Sequence, residues 1–147
     1  MGRRDAGADI SSGRSQKHDE LADDLLASAA FRAATSGMWV ASGVDDPDVG
    51  VALSDAGMFV GWLDVVWCLN HQPTWCLKRV THLPWECLEG NLATASADFE
   101  RAVKTARSAR ARALRRCRFC SERFVPGHMH SPDVCQGCAE RKLGVVY

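Results

Sequence analysis

The chain has 147 residues, 46% hydrophobic and 24% charged, which suits one domain or a small domain with an appendage. Its net charge is zero, but eight acidic residues and one basic lie between Asp19 and Asp55, and nine basic and one acidic between Arg101 and Arg123. No apolar run is long enough to span a bilayer, and no apolar leader follows Met1, so the expectation is a cytoplasmic protein without a membrane helix or secretory signal.

Residues 1–17 are rich in Gly, Ser and Arg and cannot bury enough surface to offset ordering entropy; they are predicted to be a disordered tail. Residues 18–36 read as a helix. Asp19, Glu20, Asp23 and Asp24 crowd its start, where a helix dipole favours negative charge, and Gly37 suits its C-cap. Residues 38–44 and 49–53 are short strand candidates, separated by the turn Asp45-Asp46-Pro47-Asp48, which lacks the spacing of a calcium loop.

Residues 58–69 are the most apolar stretch. Three Val, two Trp and a Phe favour a long buried strand, although a helix has the same periodic support. Residues 75–81 are predicted as its return strand, completing a small antiparallel sheet. Pro84 suits the start of a helix, Gly90-Asn91 a break, and residues 92–116 a long basic helix rich in Ala and Arg. On a helical plot Arg101, Lys104, Arg112, Arg115 and Arg116 share one arc. Phe99, Ala102, Val103, Ala106, Ala109, Ala113 and Leu114 share the opposite one. Residues 133–143 are predicted as a final helix capped by Gly144, with Val145, Val146 and Tyr147 trailing or docking back.

The strongest chemical signal is Cys117-Arg118-Phe119-Cys120 followed, fourteen residues later, by Cys135-Gln136-Gly137-Cys138. Two such pairs supply four thiolates, which fit the tetrahedral preference of Zn²⁺, and a two-residue spacer turns both sulfurs of a pair toward one metal. In a reducing compartment this pattern reads as a metal site rather than disulfides. Four thiolates also close the coordination sphere, so one structural Zn²⁺ is expected, supplying much of the folding energy of a segment with little core.

A Cys-x-x-Cys knuckle, a hairpin-length spacer and a second Cys-x-x-Cys opening a helix resemble the treble-clef and zinc-ribbon class of zinc fingers. The resemblance covers only the last thirty or so residues. The class usually has glycine after the second knuckle cysteine, where Ser121 stands here. It implies a fold and a metal, not an activity. Treble-clef nucleases of the His-Asn-His type carry an Asp-His pair and a downstream Asn. Here Gly127 precedes His128, and no Asn follows Asn91, so His128 and His130 lack the rest of a catalytic set. Cys68, Cys76 and Cys87 have apolar neighbours and are expected to be buried; Cys68, His71 and Cys76 make only an irregular candidate for a second metal site. The five tryptophans are expected to build the central core.

The predicted architecture is α+β: a tail over 1–17, an α+β body over 18–91, a long basic helix over 92–116 and a four-cysteine zinc module over 117–147. The expected function is non-enzymatic binding to nucleic acid or a nucleic-acid-processing complex. Arg101, Lys104, Arg112, Arg115 and Arg116 would meet phosphates, with Arg118 and Arg123 extending the patch. The alternative is a protein–protein adaptor of phage or bacterial origin that docks through its zinc module. The excess of fourteen Arg over four Lys suggests such a high-GC genome. A lower-ranked reading is a nuclease using His128 or His130.

Overall fold

A computed structural model describes residues 15–34, 37–41 and 47–147. Its architecture is α+β. Helix α1 (Gln16–Ser28) leads into a five-stranded antiparallel sheet of β1 (Phe31–Ala33), β2 (Met38–Ala41), β3 (Val49–Leu53), β4 (Gly57–Trp67) and β5 (Pro73–Pro84). The strands lie in chain order, each hydrogen-bonded to the next. One turn of helix, α2 (Trp85–Leu88), and the long α3 (Leu92–Ala113) follow. The C-terminal part holds two small hairpins, β6 (Arg115–Arg116) with β7 (Arg123–Phe124) and β8 (Met129–Ser131) with β9 (Val134–Cys135), and ends in α4 (Gln136–Leu143).

The most apolar stretch is a strand. Residues 58–62 pair with β3 on one side, residues 57–67 pair with β5 on the other apart from a slip between Val60 and Trp62, and the β-branched and aromatic side chains pack across the sheet. Val49 and Val51 on β3 and Met58, Val60 and Trp62 on β4 fall on one face. There they meet Ala22, Leu25 and Leu26 of α1 and Ala95, Phe99, Ala102, Val103 and Ala106 of α3. Ala95, Ala102 and Ala106 therefore let α3 approach the sheet closely, and they are covered by this chain's own strands. Phe99 is 1% exposed and meets Phe31 edge-on at 5.6 Å between ring centres. On the opposite face Leu63, Leu77 and Met38 converge over Gly50.

Strand β5 forms one edge of the sheet. Its pairing with β4 slips between Val60 and Trp62, and Arg79, inside the irregularity, has a left-handed φ of 51°. Exposed Lys78 and Arg79 at this bulge blunt an edge that could otherwise recruit another strand.

Several boundaries differ from the sequence reading. Helix α1 starts earlier, at Gln16, capped by the Ser15 side chain, and stops at Ser28 rather than reaching residue 36. Phe31 to Ala33 instead join β2, because Phe31 is worth more packed against Phe99 than in one further helical turn. Gly37 therefore caps no helix. Residues 1–14, most of the predicted tail, lie outside the described residues, as do 35–36 and 42–46, which include Asp45, Asp46 and the end of the first strand candidate. Trp62 and Trp85 are buried as expected and Trp39 packs on the core, but Trp67 is 45% exposed at the end of β4. Among the described residues no helix is long and apolar enough to cross a membrane.

Candidate metal centre

Cys117 and Cys120 come from the turn joining β6 to β7, Cys135 ends β9, and Cys138 lies in the first turn of α4. Their four sulfurs all lie within 4.8 Å of one another. A tetrahedral Zn²⁺ with Zn–S bonds of about 2.3 Å sets its sulfurs about 3.8 Å apart. The Cys120 and Cys135 sulfurs, at 4.0 Å, are already near that spacing. The cluster is thus compatible with one metal ion such as zinc. Cys117, Cys135 and Cys138 are buried and Cys120 half-buried.

Local hydrogen bonds build this geometry. The Cys117 amide donates to the Glu122 carbonyl at 2.9 Å and the Ser121 amide to the Cys117 carbonyl at 2.9 Å, folding the knuckle. Ser121 takes φ 62°, the left-handed conformation that glycine adopts most readily. The Arg118 amide donates to the Asp133 carbonyl at 2.8 Å and ties the knuckle to the second hairpin. Cys135 is the N-cap of α4, its sulfur accepting from the Cys138 amide at 3.4 Å. The positive end of a helix favours a thiolate there. Gly144, with φ 68°, closes α4 as expected, and the Val145 amide returns to the Ala139 carbonyl.

The electrostatics of the sulfurs suit a cation. Burial pushes the Cys117 thiol up, but hydrogen bonds from the backbone of Cys135, Cys120 and Phe119 overcome this and bring it to about 6. Burial, together with the neighbouring sulfurs of Cys135, Cys117 and Cys120, pushes Cys138 up to about 12, against the pull of Arg141. Four adjacent thiols cannot all ionise without positive charge among them, and a dication supplies that charge.

The cluster is fastened to the sheet at a point that sequence reasoning missed. Val125 enters the main core. The 3-10 turn Pro126–His128 then crosses β4, where the Gly127 amide donates to Asp64 Oδ1 at 2.8 Å. The Gly127 carbonyl accepts from Trp67 Nε1 at 2.8 Å and from Gln136 Nε2 at 3.2 Å. A Cβ on residue 127 would sit 2.0 Å from the Val65 carbonyl oxygen. Asp64, 6% exposed, is the one carboxylate inside the apolar stretch of β4, which was the available signal.

The basic residues divide. Helix α3 ends at Ala113, so Arg115 and Arg116 do not belong to its arc. Leu114 turns extended because the knuckle needs a strand there, pairing Arg115 with Phe124 and Arg116 with Arg123. Arg101, Lys104 and Arg112 are exposed on α3, with Arg101 held by Asp98 at 2.9 Å. Arg107 pairs with Asp48 at 3.0 Å. Arg118 reaches Asp133 only at 3.9 Å. Arg112, Arg115, Arg116 and Arg123 make no ion pair among the described residues.

Other expectations need correcting. Helix α4 begins at Gln136, not Asp133, because Cys135 is extended and serves as its cap. Cys68 and Cys87 are exposed and Cys76 half-buried, not core residues. Cys68 lies in the β4–β5 turn, beyond the helix-covered part of the sheet, and α2 has only Trp85 and Leu88 turned inward. Among the described residues Cys68, His71 and Cys76 form no cluster able to hold a metal. His128 lies edge-on to Trp67, and His130 Nδ1 is 2.8 Å from the Tyr147 hydroxyl, which docks the C-terminus on β8. Compared with known proteins, the chain matches no family model, no curated protein and no solved structure.

Proposed function

We propose that the protein is a cytoplasmic, non-enzymatic binding protein whose C-terminal segment is a treble-clef-like module closed by one structural zinc. In this reading its arginine-rich surface contacts nucleic acid or a nucleic-acid-processing complex. The observation that carries the reading is the set of exposed arginines at the end of α3 and on the knuckle hairpin. Arg112, Arg115, Arg116 and Arg123 have no carboxylate partner among the described residues, and Arg118 has only a distant one. Unneutralised arginines at this density suit phosphates, which provide a sequence-independent affinity. Zinc's role is structural because four sulfurs leave no coordination position for a water or substrate.

Two measurements test this. Elemental analysis should find about one zinc per chain, as a single four-thiolate site requires. Electrophoretic mobility shifts across a salt series should show affinity falling steeply as salt rises. The absence of any shift with DNA or RNA at low salt refutes the nucleic-acid contact. A protein–protein adaptor is the second reading, favoured by the exposed tip of the β4–β5 hairpin, where Val66, Trp67 and fully exposed Leu69 stand beside the module. Under that reading a partner remains bound after charge reversal at Arg112 and Arg115.

A further inference from the structure

We propose that the tip of the cysteine knuckle is a stacking platform for an unpaired base of single-stranded nucleic acid, with Phe119 as the platform and Arg116, Arg118 and Arg123 holding the adjacent phosphates. This rests on the nucleic-acid reading above and names the form of nucleic acid it selects.

Phe119 lies between two metal ligands, yet it does not pack into the module. It is 41% exposed, whereas Val134 and Ala139 of the same module are at 2% and 0%. The backbone around it is fixed on every side. Cys117 is bonded to Glu122 and Ser121, and Arg118 to Asp133. An aromatic ring presented by so rigid a turn loses little freedom when a ligand covers it. The Arg118 guanidinium carbon lies over one face of the ring, 4.9 Å from its centre, a cation–π contact; a base would stack on the other face or take the place of the guanidinium, freeing it for phosphate.

The hairpin supplies the complementary charge. Arg116 and Arg123 are directly paired across the two strands, and both are exposed. Like charges in that position repel, and an anion between or beside them relieves the repulsion. Glu122 is the single acidic residue from Arg115 to Phe124. A duplex keeps its base faces inside the stack and offers a protein only edges and backbone. A projecting aromatic flanked by arginines needs an open base face, which a single strand provides.

The test uses the zinc-loaded full chain and fluorescence anisotropy with a labelled oligothymidylate, an oligouridylate and a duplex of equal length. The expected result is tighter binding of the single strands than of the duplex. Phe119→Ala should weaken single-strand binding about 5- to 150-fold, the loss of one stacked base, without altering zinc content or the salt slope. Phe119→Trp should retain the affinity. Arg116→Gln and Arg123→Gln should each reduce the single-strand salt slope by about 0.7. Equal binding of duplex and single strand with Phe119→Ala neutral overturns the platform and leaves phosphate binding by the arginines standing. Absence of binding to all three probes overturns both.

Discussion

Replacing Gly127 with alanine tests how the metal module is joined to the sheet. The new methyl would lie 2.0 Å from the Val65 carbonyl oxygen and 2.8 Å from Asp64 Oδ1. The first is main chain of β4, held in register with Trp75 of β5, and moves aside less readily than a side chain. The turn must retreat instead, by roughly 1.5 Å, to reach ordinary contact. That displacement breaks the hydrogen bond from the Gly127 amide to a buried carboxylate, a loss of about 1.5–3 kcal/mol. It also draws Val125 partly out of the core, at about 1 kcal/mol for each methylene's worth of exposed surface. The lost Trp67 bond adds little, because that side chain is half in water and finds another partner. The expected sum is about 3 kcal/mol, or a fall in Tm of roughly 10 °C for a chain of this length. Calorimetry alongside a zinc-release assay would measure it, with zinc content expected to stay unchanged. Gly90→Ala is the control, since a Cβ there meets nothing within 4 Å. A Gly127→Ala protein within about 0.5 kcal/mol of the wild type, the range of an ordinary surface substitution, would refute the docking argument.

Three other outcomes follow from the same packing. Three of the five buried residues in the C-terminal cluster are metal-site cysteines, so chelation should erase the dispersed amide signals of residues 115–143 while those of the five-stranded sheet persist; a chelated chain that keeps both sets contradicts a metal-dependent module. Phe99→Ala removes a 1%-exposed ring between α3 and the sheet and should cost about 3–5 kcal/mol in denaturant unfolding, a value below about 1.5 showing that the site collapses or that the helix packs elsewhere. At Ser121, held at φ 62°, glycine should be tolerated or stabilising, whereas Ser121→Val should lower the melting temperature of the zinc-loaded module; the reverse order would mean the knuckle does not use a left-handed turn.

The sequence was most legible where one interaction dominates. Four cysteines at doubled spacing could have few other purposes, and they converge. The β4 stretch was legible as a strand from its Val and aromatic content, although its periodicity fitted a helix equally well. Long-range packing was not legible. Phe31 sits in good helical context, and only its contact with Phe99, sixty-eight residues later, explains why it is in a strand. Arg115 and Arg116 continue a helical arc in the sequence but answer to Phe124 and Arg123 across the knuckle. The role of Gly127 depends on a carbonyl of β4 passing close by, and nothing in its own neighbourhood of sequence records that.

These contacts bear on how the arginines could work. The module is not tethered by a free linker. Leu114 packs on the main core directly after α3, Val125 is part of that core, and Gly127 is bonded to Asp64. Three attachments to one body fix the knuckle hairpin relative to the end of α3. Arg112 in the last helical turn and Arg115, Arg116 and Arg123 on the hairpin therefore keep a set spacing before any ligand arrives. A surface ordered in advance pays only for immobilising side chains, at about 0.5–1.5 kcal/mol each. If these arginines bind an anionic strand, loosening the attachment should weaken binding even though no arginine is touched. Gly127→Ala then has a second readout: weaker single-strand affinity at unchanged zinc content and an unchanged salt slope. A variant that is destabilised but binds with wild-type affinity would mean that the hairpin acts alone and that its fixed position relative to α3 has no part in recognition.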